Sequence, residues 1–386
     1  SLRPNEDRLT YSIIMEISPR GVVKDYVIKK SVIHSKRRFT YEEVQTIIEK
    51  KQGDFGEEIL MMHKLSCILL KKRIREGSID FESSEAKFKF DAEGKPTEII
   101  KKVRLESHRL VEDFMLLANQ TAAKHIGMSS KKNMTEQQKM RPFVYRIHDT
   151  PNPDKIEELA NFVKQFGFSF PAKDVSSQAL QKLMFDVRGS EVENVINEVA
   201  IRAMAKAVYS VENIGHFGLG FKYYTHFTSP IRRYPDLIVH RMLLEYEDGM
   251  SVERRNFYTE KLPFITKQSS DRERVAMEAE RESVKVMQVE YMKRHLGDEF
   301  HGVISGVTNF GLFVKIKELL TEGMIRMRDL DDDYYIFDEK NYAIGGRRNR
   351  KRYRLGDSVE VRVMRVDSVE RRIDFAITGS FPHAKK

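Results

Sequence analysis

The sequence predicts an α+β fold in which a large region of mixed helices and strands is followed by a small all-β module. Residues 11–17 and 22–28 alternate apolar and polar side chains, as strands do. Residues 55–75 carry apolar side chains at helical spacing. From Gly297 onwards the alternation returns and dominates the rest of the chain. These three observations place a domain boundary near residue 297.

Composition indicates a basic protein without disulfides. The chain has 386 residues, with 67 Lys plus Arg against 58 Asp plus Glu and a formal net charge of +9. This excess predicts an acidic partner, with nucleic acid as the first candidate. Cys67 is the single cysteine, so neither a disulfide framework nor a zinc-finger spacing is present. Without an apolar run of the ~18 residues that span a membrane, we expect a cytoplasmic protein with no membrane partner.

The first helices follow from local signals. Thr40 or Tyr41 caps a helix that begins with Glu42 and Glu43, and the next helix, over 55–75, ends at Gly77. A strand is expected from Gly77, and a third helix covers 105–125. This third helix has an apolar stripe and a second, polar face that bears His108, Glu112, Met115 and Asn119.

The region between residues 244 and 296 reads as charged and helical, with Gly249 and Pro263 as breaks. Glu280 lies at helical spacing from Ala276, Ser283, Met287 and Tyr291, so it is predicted to interrupt an inward-facing stripe. A carboxylate in that setting requires a partner.

The last module alternates strongly. If Leu312, Val314 and Ile316 point inward, Phe313 and Lys315 point outward together, which is typical of a surface that binds bases and phosphates. The run from Arg347 to Arg354 is a basic loop, read either as a solvated hairpin or as a phosphate-binding segment. The acidic cluster of Asp329, Asp331, Asp332 and Asp333 is interpreted as a solvated loop.

Residues 226–241 form the most informative stretch. Thr228, Ser229 and Pro230 indicate a turn, Arg232 and Arg233 follow at once, and a helix opens behind them. A helix start offers free N–H groups and partial positive charge, and guanidinium adds a planar fork of donors, so together they suit a phosphate. A solvated arginine pair is the alternative for so short a motif.

The longer run from Gly215 to Arg241, GHFGLGFKYYTHFTSPIRRYPDLIVHR, resembles the signature of the RNB exoribonucleases, which degrade RNA processively from the 3′ end to 5′-nucleoside monophosphates. The resemblance implies an RNB-type catalytic domain over 1–296, with helices around a mixed sheet. Residues 297–378 resemble an S1-type RNA-binding domain, an OB-fold barrel of five strands. Residues 379–386 are a basic tail. Met327 departs from the histidine that many S1 domains carry.

The resemblance also implies roles for single residues. Arg232 matches the arginine that supports charge developing on the phosphate, and Arg233 is predicted to hold a neighbouring phosphate. The residues implied to lie near the RNA 3′ end are Tyr41, Phe81, Glu112, Arg233 and Glu280. Alternatives stay open: Tyr41 and Phe81 as core aromatics, Glu112 as an exposed helix residue, and Glu280 in a structural ion pair. The predicted RNA-binding residues of the barrel are Phe310, Phe313, Lys315, Arg350 and Arg352.

The expected cofactor is Mg²⁺, because phosphodiester hydrolysis needs an activated water and charge neutralisation. In the resembling family, a segment like Ser1 to Pro4 follows an aspartate-rich, metal-binding motif. We therefore expect the Mg²⁺ ligands in an N-terminal segment outside this sequence, either separate or continuous, and none within it. The predicted partner is single-stranded RNA, bound by a monomer. An RNA-binding fragment or pseudoenzyme without hydrolysis is the alternative, and a ribosome-associated factor that uses only the barrel ranks last.

Overall fold

The computed structural model describes residues 2–79, 85–128, 141–173, 175–190 and 192–381. The predicted α+β class, with a five-stranded barrel at the C-terminal end, is confirmed. Phe81 lies outside the described residues.

The helices of the described part lie mainly before the barrel. They are α1 (Tyr41–Lys50), α2 (Gly56–Arg75), α3 (Glu106–Gly127), α4 (Pro153–Lys164), α5 (Ser177–Val187), α6 (Glu193–Ala203), α7 (Tyr234–Glu247) and α8 (Val252–Met292).

The strands before the barrel pair antiparallel in twos: β1 (Asp7–Ile17) with β2 (Val23–His34), β3 (Glu85–Phe90) with β4 (Pro96–Lys102), and β5 (Tyr145–Ile147) with β6 (Val208–Ser210). The later strands are β7 (Glu299–Thr308), β8 (Gly311–Ile316), β9 (Thr321–Arg326), β10 (Tyr335–Asp338), β11 (Ala343–Gly346), β12 (Arg352–Arg354), β13 (Ser358–Asp367) and β14 (Arg372–Phe381).

Local sequence explains the start of α1. The hydroxyl of Thr40 accepts a hydrogen bond from the N–H of Glu43, and the Glu43 carboxylate accepts one from the N–H of Thr40. This reciprocal capping box satisfies two N–H groups that would otherwise lack partners at the helix start. The helix therefore begins where the sequence predicts.

Helix α8 departs from prediction because it continues through Pro263 for 41 residues. Pro263 removes one helix hydrogen bond, but Tyr258, Leu262 and Thr266 are buried around it and hold the helix in place. The hydroxyl of Thr266 also donates to the carbonyl oxygen of Leu262, at 2.9 Å. The predicted break at Pro263 is wrong because tertiary packing outweighs the local cost.

The predicted inward stripe of α8 is also wrong. Ala276, Glu280 and Ser283 are exposed, whereas the buried residues near the end of the helix are Val289 and Met292. The side chains of residues 274–283 are exposed, so Glu280 does not need a buried partner.

The barrel closes in the strand order β13-β14-β9-β8-β7. Leu312, Val314 and Ile316 point into its core as predicted, and Met292 from the end of α8 joins the same core cluster. Strands β10, β11 and β12 form a separate three-stranded sheet beside it.

The barrel packs against helices of the preceding region. Val303 and Leu355 share a hydrophobic cluster with α4, α5 and α6, and the rings of Phe162 and Tyr342 meet edge to face with centroids 5.3 Å apart. No helix in the described part of the chain is long and apolar enough to cross a membrane.

Candidate nucleic-acid interface

The arginine-bearing loop, residues 228–233 before α7, is held by hydrogen bonds to Asp236. This carboxylate is fully buried in the first turn of α7, where its Oδ1 accepts hydrogen bonds from the Ser229 N–H and from Arg233 Nη2, both at 2.8 Å. The carbonyl of Ser229 in turn accepts from the backbone N–H groups of Arg232 and Arg233. These hydrogen bonds fix the loop to the first turn of α7.

A second anchor comes from α3. Asn119 is buried, and its Oδ1 accepts hydrogen bonds from the N–H groups of Phe227 and Thr228 at 2.9 and 3.2 Å. Its Nδ2 donates to the hydroxyl of Tyr224 at 3.2 Å. One carboxamide therefore connects the polar face of α3 to the arginine-bearing loop.

Histidines support the same loop from its other side. His240 Nε2 lies 2.7 Å from the carbonyl oxygen of Phe227, and His226 Nδ1 lies 2.8 Å from the hydroxyl of Tyr209. Burial, with help from Arg233 and Arg146, lowers the pKa of His226 to about 2. These rings are therefore neutral near pH 7, so the cations of the region are its arginines.

The two adjacent arginines have different environments. The Arg232 side chain is exposed and makes neither an ion pair nor a hydrogen bond with any described residue. Arg233 is half-buried, and its guanidinium is bound to Asp236. Arg232 is thus free to bind an anion, whereas Arg233 first maintains the loop; its Nε still has no hydrogen-bond partner among the described residues.

Tyr41, at the first position of α1, is 44% exposed and stacks on His108 with ring centroids 4.1 Å apart. Its neighbours Phe39, Phe55 and Leu110 line the same largely apolar cavity of about 610 Å³ between α1, α2 and α3. The ring is therefore a surface aromatic held by stacking, not a fully buried core residue.

Glu112 lies in a cluster of arginines. Its carboxylate is half-buried, forms an ion pair with Arg104, and lies 3.5 Å from Arg73 Nη1. The neighbouring Asp113 is buried and accepts from Arg73 Nη2 at 2.9 Å. Burial raises the pKa of Asp113 against the opposing influence of Ser66 and Arg73. The environment of Glu112 is thus electropositive, unlike that of an isolated exposed glutamate.

Glu280 is exposed and has no ion pair with any described residue, so the structural ion-pair reading finds no support there. Its predicted place near the RNA 3′ end stays a prediction. The same holds for Phe81, which lies outside the described residues.

On the barrel, the predicted RNA-binding residues divide into free and engaged side chains. Phe310 is 55% exposed and its ring meets that of Phe313 edge to face, with centroids 6.0 Å apart. Phe313 is half-buried and lines a cleft of about 460 Å³ between the barrel and helices α4 and α6. Lys315 Nζ lies 2.6 Å from Glu198 Oε1 on α6, so this amine joins the two regions. Phe310 is therefore the more accessible of the two rings.

The basic loop between β11 and β12 is braced by the acidic cluster. Asp333 accepts hydrogen bonds from the backbone N–H groups of Arg348 and Asn349, and Lys351 Nζ lies 2.6 Å from Asp332. The acidic cluster thus lies in a largely exposed loop, as predicted, and two of its carboxylates in addition accept hydrogen bonds from the basic loop.

The two predicted RNA-binding arginines of this loop differ in whether they form an ion pair. Arg350 is exposed, with no ion pair to any described residue, whereas Arg352 Nη2 lies 2.9 Å from Asp338.

The described residues do not fit a Mg²⁺ site. Mg²⁺ requires several oxygen ligands in near-octahedral geometry. Over the described ranges, the one cluster with three or more ligand-type side chains is His63, Cys67 and Glu106, which offers a single carboxylate. These residues therefore do not support a catalytic step that uses Mg²⁺.

Two positioning residues were not identified as functional from the sequence. They are Asp236, in the first turn of α7, and Asn119, on the polar face of α3. For Asn119 the sequence does contain a signal. Asn has low helix propensity, so an Asn inside a long helix suggests that its side chain has a specific partner.

Comparisons with known proteins agree with this geometry. The RNB domain model matches residues 1–249, and the S1 RNA binding domain model matches residues 293–378. The chain is 39% identical over 387 residues to a protein named Ribonuclease R from Aquifex aeolicus, covering 98% of this chain and 53% of that protein. With Ribonuclease R from Escherichia coli it is 35% identical over 396 residues, covering 98% and 47%.

Among solved structures, the apo form of Mycoplasma genitalium RNase R has a TM-score of 0.89 and 26% sequence identity, and the match covers 98% of this chain and 59% of that one. The same values hold for that enzyme in complex with ribose methylated single-stranded RNA. The chain thus spans about half the length of the curated relatives it matches.

Proposed function

Because this chain belongs to the RNB family, with an S1 RNA-binding domain after the RNB domain, we propose that it is the RNA-holding part of an exoribonuclease. The activity is hydrolysis of single-stranded RNA, processively from the 3′ end, to 5′-nucleoside monophosphates. We place the enzyme in the cytoplasm, as a monomer whose substrate is RNA.

The observation that carries this proposal is the contrast between Arg232 and Arg233. Arg232 is exposed without a bound counter-charge, on a loop that the buried Asp236 and Asn119 keep in one conformation. A free guanidinium on a fixed support can donate to phosphate oxygens as negative charge develops on them, without the cost of first ordering the loop. We therefore assign Arg232 to the reacting phosphate.

The other predicted residues would hold the strand. Tyr41, half exposed on its His108 support, offers a face to a 3′-terminal nucleotide, and Phe310 offers a second stacking face on the barrel. Glu112 can accept a hydrogen bond from a ribose hydroxyl, which would favour RNA over DNA. Contacts to base faces and phosphates do not read sequence, as a degradative enzyme requires.

Mg²⁺ supplies water activation and charge neutralisation in phosphodiester hydrolysis. Since the described residues do not fit that ion, we propose that its carboxylate ligands come from polypeptide beyond this sequence.

A second candidate is RNA binding without hydrolysis. The observation that favours it is the lack of a carboxylate cluster suited to Mg²⁺ in the described part of the chain. The two candidates share the same RNA-binding residues and differ only in whether the phosphodiester bond is cut.

The deciding experiment is incubation of the 386-residue chain with 5′-labelled single-stranded RNA and Mg²⁺, with products resolved on a sequencing gel. A ladder that collapses to a short 5′ remnant supports hydrolysis and contradicts the view that the metal ligands lie elsewhere. RNA that is bound but uncut by this chain, and cut once an aspartate-bearing RNB segment is supplied, supports the proposed division of labour. RNA that stays uncut in both cases supports the non-hydrolytic candidate.

A further inference from the structure

Three side chains between α2 and the start of α3 form a cluster that the proposed function does not use. His63 and Cys67 lie one turn apart on the same face of α2, and Glu106 lies in the first turn of α3. His63 Nε2 lies 3.7 Å from Cys67 Sγ and 3.5 Å from Glu106 Oε2. All three candidate ligand atoms lie within 4.8 Å of one another.

These spacings fit zinc coordination. With Zn–S of about 2.3 Å and Zn–N and Zn–O of about 2.0–2.2 Å, two ligand atoms on a tetrahedral ion are about 3.4–3.6 Å apart. The His63 to Glu106 distance of 3.5 Å falls in that range, and the His63 to Cys67 distance of 3.7 Å is close to it. The His63 to Glu106 distance is long for a hydrogen bond, and one ring nitrogen cannot donate well in two directions at once.

The donor set is also selective. Thiolate and imidazole favour borderline-soft ions such as Zn²⁺, whereas Mg²⁺ prefers oxygen ligands. The His63 side chain is 25% exposed and that of Glu106 is 50% exposed, so an ion can enter from solvent. Arg109 lies on the other carboxylate oxygen of Glu106, with its Nε 4.0 Å from Oε1, and leaves Oε2 directed at His63.

From this geometry we propose that His63 Nε2, Cys67 Sγ and Glu106 Oε2 form a Zn²⁺ site, with water as the fourth ligand. On binding, the thiol of Cys67 loses its proton to solvent and coordinates as thiolate, while His63 coordinates as neutral imidazole. The ion joins α2 to the start of α3, two residues before the His108 that supports Tyr41. The sequence does not reveal this site, because its ligands are of three different types and come from two helices.

The experiment uses the fact that Cys67 is the single cysteine of the sequence, so every thiol signal comes from this position. Untagged, chelator-treated protein is reacted with a chromogenic disulfide reagent with and without one equivalent of Zn²⁺. Zn²⁺ is expected to slow the reaction by more than roughly tenfold, and Mg²⁺ at the same concentration to leave it unchanged. Co²⁺ in place of Zn²⁺ is expected to give a thiolate charge-transfer absorption.

His63→Ala and Glu106→Gln should each lower the affinity for Zn²⁺, measured by competition with a fluorescent chelator, by roughly tenfold or more. His34→Gln is the matched control, because His34 faces the carboxylate of Asp7 on β1 in an exposed pair without a thiol, and should leave the affinity unchanged. Far-UV circular dichroism of the metal-free variants checks that they fold. Equal thiol reaction rates with and without Zn²⁺, or protection that survives in folded His63→Ala, would overturn the proposal.

Discussion

The buried carboxamide of Asn119 accepts a hydrogen bond from the backbone N–H of Phe227, a residue 108 positions further along the chain. Phe227 precedes the turn that presents Arg232, so a side chain in the middle of α3 determines where that arginine lies. Stability and RNA chemistry are therefore coupled through one residue that itself contacts no RNA in the proposed function.

Replacement of Asn119 by alanine is expected to lower the free energy of unfolding by about 1–3 kcal/mol, because the Phe227 N–H is left buried without an acceptor. Urea denaturation at pH 7 measures the change. Asn256→Ala, on the exposed face of α8, is the control and should change stability by less than about 0.5 kcal/mol. Equal effects of the two substitutions would mean that the carboxamide does not hold the loop.

Alanine is expected to destabilise the protein strongly at Arg233 and only slightly at Arg232. Arg233→Ala leaves the fully buried Asp236 without its cation and should cost about 3–5 kcal/mol of stability. Arg232→Ala removes an exposed side chain without a partner and should cost less than about 0.5 kcal/mol. Urea denaturation distinguishes the two.

For catalysis, Arg232→Ala should reduce the rate of RNA cleavage far more than RNA affinity, since the guanidinium is proposed to act on developing charge. Fluorescence anisotropy measures affinity. Single-turnover cleavage, with the aspartate-bearing RNB segment supplied, measures the rate, and Arg241→Ala on the exposed side of α7 is the control. A loss of affinity with an unchanged single-turnover rate would contradict the assigned role.

Stability is expected to fall on acidification because of the buried His226. Its pKa is lowered from 6.5 to about 2 by burial, and Arg233, Arg146, His216 and Arg232 act in the same direction. In the unfolded chain the imidazole binds a proton near pH 6.5, whereas in the folded chain it stays neutral. The unfolded state thus binds more protons, so this stabilisation is complete above pH 6.5 and is lost progressively as the pH falls towards 2.

His226→Gln should flatten the dependence of unfolding free energy on pH between 6.5 and 4 by about 1 kcal/mol per pH unit. Urea denaturation at several pH values gives the slope. Tyr209→Phe is the control, because it removes the hydrogen-bond partner of His226 but keeps the ring buried. It should lower stability at every pH with little change of slope. An unchanged slope in His226→Gln would show that another group dominates the acid response.

Features encoded within one turn or strand could be predicted from the sequence, and features created by distant packing could not. The helix start at Thr40 or Tyr41 and the inward alternation of Leu312, Val314 and Ile316 depend on neighbours in sequence, and both are confirmed. The continuation of α8 through Pro263 depends on tertiary packing around it, which sequence spacing does not reveal.

The same distinction applies to the candidate site. The arginine pair was visible as a motif, but the division between a free Arg232 and a bound Arg233 depends on where Asp236 is buried. Likewise, the alternation of β8 placed Lys315 outside the barrel correctly, yet its partner Glu198 comes from a helix more than a hundred residues earlier.

Two arginines of the basic loop in the S1 domain, Arg350 and Arg352, are expected to contribute differently to the salt dependence of RNA binding. Each phosphate neutralised on a single strand contributes about 0.7 to the slope of log affinity against log salt concentration. Arg350 is exposed without an ion pair to any described residue, whereas Arg352 is already bound to Asp338. Arg350→Gln should therefore reduce the magnitude of the slope by about 0.7, and Arg352→Gln by clearly less.

Glutamine removes the charge in both cases but keeps most of the aliphatic stem. Anisotropy titrations of labelled RNA, without divalent ions and between about 50 and 200 mM salt, measure both slopes. A larger effect of Arg352 would mean that RNA displaces Asp338 and that this loop rearranges on binding.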